Sequence, residues 1–133
     1  MDHSLKRALL LIGSLIVTFI ILRVSLIISP NSNFDVGPYN IHHLFTGLIV
    51  LTLAVVPLLL FDAKGRLMDL LVILFGAGLS MALDEWVYLI ATDGSDAAYL
   101  LPISFWGAIV VIGLTCIYIG VLAVVCRRCR HTG

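Results

Sequence analysis

Four ionisable side chains within two apolar stretches are the residues of this sequence that could do chemistry. His42 and His43 are adjacent in one stretch, and Asp84 and Glu85 are adjacent in the other. Ionisable groups at membrane depth are costly and usually face a bundle interior or a water-filled cavity. Imidazole and carboxylate groups suit zinc, iron or manganese, and they also transfer protons. The sequence therefore predicts a His/carboxylate site.

The composition indicates an integral membrane protein. Of the 133 residues, 61% are hydrophobic and 12% are charged, and the mean hydropathy is +1.13. Soluble domains are about half apolar and about a quarter charged. Nearly the whole chain is needed for membrane spans, so we expect a single transmembrane domain over residues 1–133. The formal net charge is zero and no basic patch suits nucleic acid, so we expect no nucleic-acid partner.

Four apolar stretches are long enough to cross a bilayer, since a spanning helix needs about 20 apolar residues. We place the spans at about 8–29, 38–61, 67–91 and 99–125. The second span is taken to begin at Pro38, because the first turn of a helix does not need the N–H that proline lacks. Short loops make sequential helices antiparallel neighbours, which predicts an all-α, four-helix up-down bundle.

The basic residues that flank the spans all lie on one side of the predicted bundle, whereas the loops at 30–37 and 92–98 contain no lysine or arginine. These basic residues are Lys6, Arg7, Lys64, Arg66, Arg127, Arg128 and Arg130. The positive-inside rule then places both termini in the cytoplasm and the two other loops outside. We expect a multi-pass protein of the plasma (inner) membrane.

The two histidines and the two carboxylates are predicted to share one depth, in the outer half of the bilayer. Asp84 and Glu85 lie about 10 and 9 Å below the outer end of the third span, at about 1.5 Å per residue. His42 and His43 lie about 6 and 7.5 Å below the same surface if the second span begins at Pro38. Adjacent residues point about 100° apart, so only one of each pair can face the bundle centre, and we rank His42 last.

In this interpretation His42, His43, Asp84 and Glu85 ligate a divalent metal ion: zinc, iron or manganese. Facing helices of a bundle can supply metal ligands, and a bound ion would offset the cost of burying two like charges. Glu85 and Asp84 are also the candidate catalytic residues, one of which would handle a proton. No further cofactor is expected.

Six further polar residues are candidates for the site: Arg23, Tyr88, Asp93, Asp96, Tyr99 and Ser104. The last four lie in the outer loop or at the start of the fourth span and could complete a coordination shell or bind a substrate. Arg23 lies about 9 Å from the outer end of the first span and could be the counter-ion of Asp84 or Glu85. Its helix face is otherwise apolar, so it could instead extend to the lipid headgroups. The histidines could also hydrogen-bond the carboxylates only to hold the helices together.

Two motifs carry a resemblance to a known family: Ile41-His42-His43-Leu44-Phe45-Thr46-Gly47 in the second span, and Gly76-x-Gly78-Leu79 running to Asp84-Glu85 in the third. The chain resembles small, largely uncharacterised four-helix membrane proteins of bacteria and archaea, which have HHxxxG and glycine-rich Asp-Glu motifs. A segment of that family is similar to Asp96, Tyr99 and Ser104, with different spacing. The resemblance covers about residues 38–110. It implies that the histidines and carboxylates act together, and it implies no established activity.

We expect a His/carboxylate site that opens toward the outer face, and the sequence leaves open whether the chain is an enzyme. As an enzyme it would be a metal-dependent hydrolase or transferase acting on a lipid-like substrate, with the ion activating water or polarising an ester. The alternatives are a protein that binds or transports metal ions or protons, and a structural or assembly subunit in which the cluster only clamps helices. Expected partners are membrane lipid and either a second copy or another membrane subunit.

Overall fold

The computed structural model describes residues 3–29, 35–36 and 39–132, with side chains described except at 35–36, 39–40, 96 and 130–132. The elements of this part of the chain are α1 (His3–Ile28), β1 (Asp35–Val36), β2 (Tyr39–Asn40), α2 (His43–Leu60), α3 (Gly65–Ala91), α4 (Asp96–Tyr99) and α5 (Pro102–Thr132). Among them α1, α2, α3 and the Pro102–Cys129 part of α5 are long and apolar enough to cross a membrane. The predicted all-α fold with four helices capable of spanning a membrane is therefore confirmed.

Helix α2 begins at His43, so the predicted start of the second span at Pro38 is wrong. The chain before α2 forms an antiparallel two-residue ladder in which Val36 pairs with Tyr39. His42 is the N-cap residue, with φ −59° and ψ 142°. The depths of the two histidines were counted along a helix from Pro38, whereas both residues lie at the start of α2. Their depth in the bilayer stays a prediction. Pro38 itself lies outside the described residues.

The predicted fourth span is divided into two helices. Tyr99 ends the short α4, whose N-cap Ser95 accepts a hydrogen bond from the Ala98 N–H. Helix α5 then begins at Pro102, a residue that fits the first helical position because its missing N–H would be unpaired there anyway. Tyr99 therefore sits on its own short element and can turn toward the bundle independently of α5.

Helix α3 is the centre of the packing. It contacts α1, α2 and α5, and α1 also contacts α5. Within the described residues, the backbone of α2 packs closely only against α3, and the His43 side chain also reaches Tyr99 of α4. The buried positions of α3 extend from Leu71 to Tyr88, so one side of this helix is covered along most of its length. The polar residues near its end are thereby brought against two neighbouring helices.

Glycines permit the close approach of these helices. A Cβ added at Gly47 would lie 2.7 Å from the Gly78 carbonyl oxygen, and one added at Gly78 would lie 2.7 Å from the Gly47 carbonyl oxygen. A Cβ at Gly76 would overlap the Ser14 hydroxyl of α1. Small residues let membrane helices pack at short distance. These contacts set the spacing at which side chains of α1 and α2 can reach α3.

Candidate functional site

Asp84 and Glu85 lie on the covered side of α3. Their relative exposures are 0% for Asp84 and 3% for Glu85. Because adjacent helical residues point about 100° apart, the two carboxylates face different partners. Asp84 faces α1 and Tyr99, whereas Glu85 faces the first turn of α2. Both carboxylates therefore need partners from other helices.

Arg23 of α1 is the counter-ion of Asp84. Its Nε and Nη2 donate to Asp84 Oδ1 at 2.9 and 2.6 Å. Arg23 is only 9% exposed, so the alternative in which it extends to the lipid headgroups is wrong. Its terminal nitrogens also donate to the carbonyl oxygens of Tyr99 at 3.5 Å and Ser104 at 3.3 Å. Arg23 thus connects α1 with α3, α4 and α5.

Tyr99 of α4 lies against both Asp84 and α2. Its hydroxyl donates to Asp84 Oδ2 and lies 3.1 Å from His43 Nε2. The Arg23 guanidinium carbon lies 4.5 Å from the centroid of the Tyr99 ring, a distance at which the cation is attracted to the aromatic face. Tyr99 is buried, so it encloses the ion pair on the side of the short helix.

Glu85 caps the start of α2 from a neighbouring helix. Its Oε2 accepts a hydrogen bond from the Leu44 N–H at 2.9 Å. The first N–H groups of a helix have no partner within it, and the helix start carries a partial positive charge. The N-cap residue His42 makes no side-chain capping hydrogen bond. Glu85 therefore supplies the acceptor, a contact that sequence reasoning missed because it depends on the true start of α2.

His43 lies between the two carboxylates. Its Nδ1 is 3.0 Å from Glu85 Oε1, and its Nε2 is 3.1 Å from Asp84 Oδ2. His42 Nδ1 approaches Glu85 Oε1 at 3.4 Å, a longer contact with one carboxylate. The structure thus brings all four residues of the predicted site together, with His43 as the bridging side chain.

The two carboxylate contacts of His43 can use one more N–H proton than a neutral His43 ring carries. A neutral imidazole has one N–H and one acceptor nitrogen, so it can donate to only one of its two carboxylate neighbours. The single hydroxyl proton of Tyr99 is donated to Asp84. With both carboxylates ionised, Arg23 leaves one negative charge uncompensated. A second N–H on His43 would complete both contacts and bring the formal charge to zero.

Ser104 and Tyr88 hold the chain around the site through hydrogen bonds to backbone carbonyl oxygens. The buried Ser104 hydroxyl donates to the Ala98 carbonyl oxygen at 2.8 Å. The Tyr88 hydroxyl donates to the carbonyl oxygens of Gly94 and Ser95. Both residues therefore hold the connection between α3 and α5 in the position from which Tyr99 approaches Asp84.

Asp93 lies in the exposed loop after α3, away from the buried carboxylates. The Ser95 N–H and hydroxyl donate to Asp93 Oδ1 at 3.1 and 2.8 Å. These hydrogen bonds, the backbone one first, lower the pKa of the Asp93 carboxyl below its ordinary value. The Asp96 side chain, another predicted candidate, lies outside the described side chains. Among the described side chains, the hydrogen bonds of Asp93 therefore stay within the loop turn.

Metal ligation by His42, His43, Asp84 and Glu85 stays a prediction, as do the catalytic roles of the two carboxylates. In the part of the chain that the structure describes, no group of three or more His, Cys, Asp or Glu side chains is arranged to hold a metal ion. Three of the four carboxylate oxygens accept hydrogen bonds from donors other than histidine, and the fourth, Glu85 Oε1, lies 3.0 Å from His43 Nδ1. The existing contacts of the site are those of a hydrogen-bonded ionic network.

Fold and site together define a helical protein with four potential membrane spans and a buried Arg/His/carboxylate network. No protein-family model, curated protein or solved structure matches this chain. The resemblance based on the HHxxxG and Asp-Glu motifs therefore stays a prediction, as do the single-domain organisation and the expected partners. The function has to be argued from the geometry of the site.

Proposed function

We propose that this chain is a multi-pass membrane protein that binds a proton in its His/carboxylate cluster, defined as Arg23, His43, Asp84, Glu85 and Tyr99. The proposal takes up the proton-binding alternative that the sequence left open. It is carried by the position of the His43 ring, with Nδ1 3.0 Å from one carboxylate and Nε2 3.1 Å from the other. His43 then holds a proton on each ring nitrogen and donates to both carboxylates.

The proton enters from the end of the bundle where α2 begins. Asp84 is fully buried and Arg23 nearly so, whereas the side chains of His42 and His43 are 24% and 23% exposed. His42 Nδ1 lies 3.4 Å from Glu85 Oε1. An exchanging proton therefore reaches the cluster from the surroundings through the partly exposed His43 ring.

Loss of the proton weakens the attachment of α2 to α3. A neutral His43 can donate to only one carboxylate, so one of its two contacts with α3 is lost. Among the described helices, the backbone of α2 packs closely only against α3, and His43 also contacts Tyr99 of α4. The protonation state of the cluster is thus coupled to the position of the first turn of α2, which is the physical basis for a proton-sensing or proton-linked role.

The contacts beneath the cluster favour proton exchange with one side of the membrane over proton conduction across it. Beneath the cluster, the Ser80 hydroxyl donates to the Leu15 carbonyl oxygen at 2.8 Å, and the Ser14 hydroxyl donates to the Leu11 carbonyl oxygen at 3.0 Å. Both hydroxyl protons are bound to backbone acceptors. A proton wire along the seam between α1 and α3 would have to break these hydrogen bonds.

The spans form an up-down bundle in the plasma (inner) membrane with both termini in the cytoplasm. Contacts between α1 and α3 follow the same chain direction, and contacts between α2 and α3 follow opposite directions, which supports this topology. The pairs are Lys6–Asp69 and Arg23–Asp84 for α1 and α3, and His43–Glu85 and Leu51–Gly78 for α2 and α3. A membrane-impermeant maleimide should label Cys126 only after cells are permeabilised. Labelling in intact cells would contradict the orientation.

Proton binding is tested by infrared difference spectroscopy of the protein in lipid bilayers as the buffer is acidified. Wild-type protein should show linked changes in imidazolium and carboxylate bands, and His43→Gln and Glu85→Gln should remove them. His42→Gln is the matched control, because that ring makes the longer contact, and it should retain them. Difference spectra that are identical in wild type and His43→Gln would contradict the proposal.

Metal analysis of the same samples separates the proton-binding function from the metal-dependent one. Stoichiometric metal in the wild type that is lost in His43→Gln and Glu85→Gln would favour a metal centre over proton binding. Proton-linked infrared changes in samples without bound metal would favour proton binding. Both variants need an intact helical fold, checked by circular dichroism, for either comparison to be made.

A structural clamp is the second candidate, because Arg23 connects four helices and Glu85 caps α2. A clamp requires the charges for stability and requires no exchangeable proton. It would be supported by a folded wild type without proton-linked infrared changes and by unfolding of the His43→Gln variant. A folded variant that has lost only the infrared changes supports proton binding.

A further inference from the structure

A cavity of about 430 Å³ lies between the beginnings of α1 and α3, at the opposite end of these helices from the His/carboxylate cluster. The residues that line it are His3, Lys6, Arg7, Lys64, Gly65, Met68 and Asp69. Three cationic side chains face one carboxylate here, an excess of two positive charges with the histidine neutral. The cavity is therefore electropositive.

The carboxylate in the cavity is already paired. Lys6 Nζ lies 2.5 Å from Asp69 Oδ2, which leaves Arg7 and Lys64 as the cations available to a ligand. Lys64 also approaches Asp62 at 2.8 Å, but those two side chains are 80% and 87% exposed. Ion pairs that exposed contribute little and are readily exchanged. The available charge thus comes from α1 and from the N-cap residue of α3, and both side chains line the cavity.

The backbone at the start of α3 favours an anion at the same place. Lys64 is the N-cap residue and makes no side-chain capping hydrogen bond, so the first N–H groups of α3 are not capped by it. Gly65 and Met68, from the first turn, line the cavity. The partial positive charge of a helix start attracts anions. This partial charge adds to the positive charge of the basic side chains that line the cavity.

We propose that this cavity binds a phosphate group, carried either by the headgroup of an anionic lipid or by a free phosphate ion. In the topology proposed above it opens at the cytoplasmic surface, where basic pockets between membrane helices bind anionic headgroups. Leu5, Leu9 and Leu67 on the same two helix segments are exposed and can contact acyl chains. Met68 supplies an apolar wall within the cavity.

The test is native mass spectrometry of the detergent-solubilised full chain, titrated with dihexanoyl phosphatidylglycerol. One molecule should bind, and the double variant Arg7→Gln/Lys64→Gln should weaken its binding about 25-fold, from roughly fivefold per basic side chain. Arg127→Gln is the matched control, because it removes an exposed charge from the same predicted membrane face outside the cavity. Circular dichroism should be unchanged in all variants.

Two further arms identify the source of the phosphate. Displacement of the lipid by inorganic phosphate would support a site for the phosphate group itself, and retention of the lipid would support an anionic lipid. Dihexanoyl phosphatidylcholine should bind at least about tenfold more weakly, because its headgroup has no net charge. If phosphatidylglycerol does not bind, inorganic phosphate is titrated alone, and failure of both to bind would overturn the proposal. An equal loss in Arg127→Gln, or equal binding of phosphatidylcholine, would also overturn it.

Discussion

Replacing Arg23 by glutamine is the sharpest perturbation of the His/carboxylate cluster, because it leaves the fully buried Asp84 without its cation. Arg23 donates twice to Asp84 Oδ1, and their side chains are 10% and 0% exposed. Removing one partner of a buried ion pair destabilises a protein by about 3–5 kcal/mol. Since folded proteins are stable by about 5–15 kcal/mol, this change would remove a large share of the stability.

Lys6→Gln is the matched control for Arg23→Gln. Lys6 also joins α1 to α3, through Asp69, but the side chains of that pair are 41% and 27% exposed. An ion pair with that much exposure is screened and contributes about 0–1 kcal/mol. The two variants remove one positive charge each from the same helix pair, so the difference between them measures the effect of burial.

The assay is reversible unfolding in mixed micelles, followed by circular dichroism. Arg23→Gln should lose at least about 3 kcal/mol and Lys6→Gln no more than about 1 kcal/mol. Adding Asp84→Asn to Arg23→Gln should restore at least about 2 kcal/mol, because the uncompensated carboxylate is then gone. Equal losses in Arg23→Gln and Lys6→Gln, or no restoration in the double variant, would refute this account of the ion pair.

Three further predictions concern the surroundings of the cluster. Gly78→Ala should separate α2 from α3 and destabilise the fold by about 1–3 kcal/mol, because a Cβ there would meet the facing backbone at 2.7 Å. Gly13→Ala is the control and should not destabilise the fold, because no atom lies within 4 Å of the added Cβ. The same unfolding assay measures both variants. Tyr99→Phe should destabilise by about 1.5–3 kcal/mol through loss of a hydrogen bond to a charged group, and an unchanged unfolding midpoint would count against that contact. Ser95→Ala should raise the pKa of Asp93 but keep it below its ordinary value of 3.8, because the larger contribution, from the backbone N–H, remains. Because the Asp93 pKa is lowered in the folded state, the contribution of Asp93 to stability is present above pH 3.8 and is lost as the pH falls through the folded pKa. Carboxyl NMR titration of the wild type and of Ser95→Ala measures the two pKa values.

The contact between the histidine pair and the acidic pair could be predicted from the sequence. Ionisable residues within membrane spans usually pair with one another inside the bundle, and this chain has few such residues. Short loops bring the start of the second span beside the end of the third. The prediction succeeded although Pro38 does not begin α2. The observed start of α2 is little more than one helical turn from the predicted start. His43 still lies opposite Asp84 and Glu85 because the carboxylates are near the end of α3.

The partners that enclose the cluster could not be assigned from the sequence in the same way. Helix periodicity gives the direction of a Cβ but not the path of a long side chain. The position of Arg23 on an apolar helix face was therefore compatible with an ion pair to a carboxylate and with extension to the lipid headgroups. Tyr99 belongs to a four-residue helix, which is too short to show a periodic face. The hydrogen bond from the Leu44 N–H to Glu85 depends on the exact start of α2, and this boundary was wrong.

The most direct test of the central claim is the protonation of the His43 ring. In protein labelled with ¹⁵N-histidine, the His42→Gln variant simplifies the spectrum while keeping His43 between its two carboxylates. Solid-state NMR in lipid bilayers should find hydrogens on both His43 ring nitrogens, and adding Glu85→Gln should leave only one of them protonated. A single protonated nitrogen in the presence of Glu85, unchanged when Glu85 is replaced, would contradict the proton-binding account.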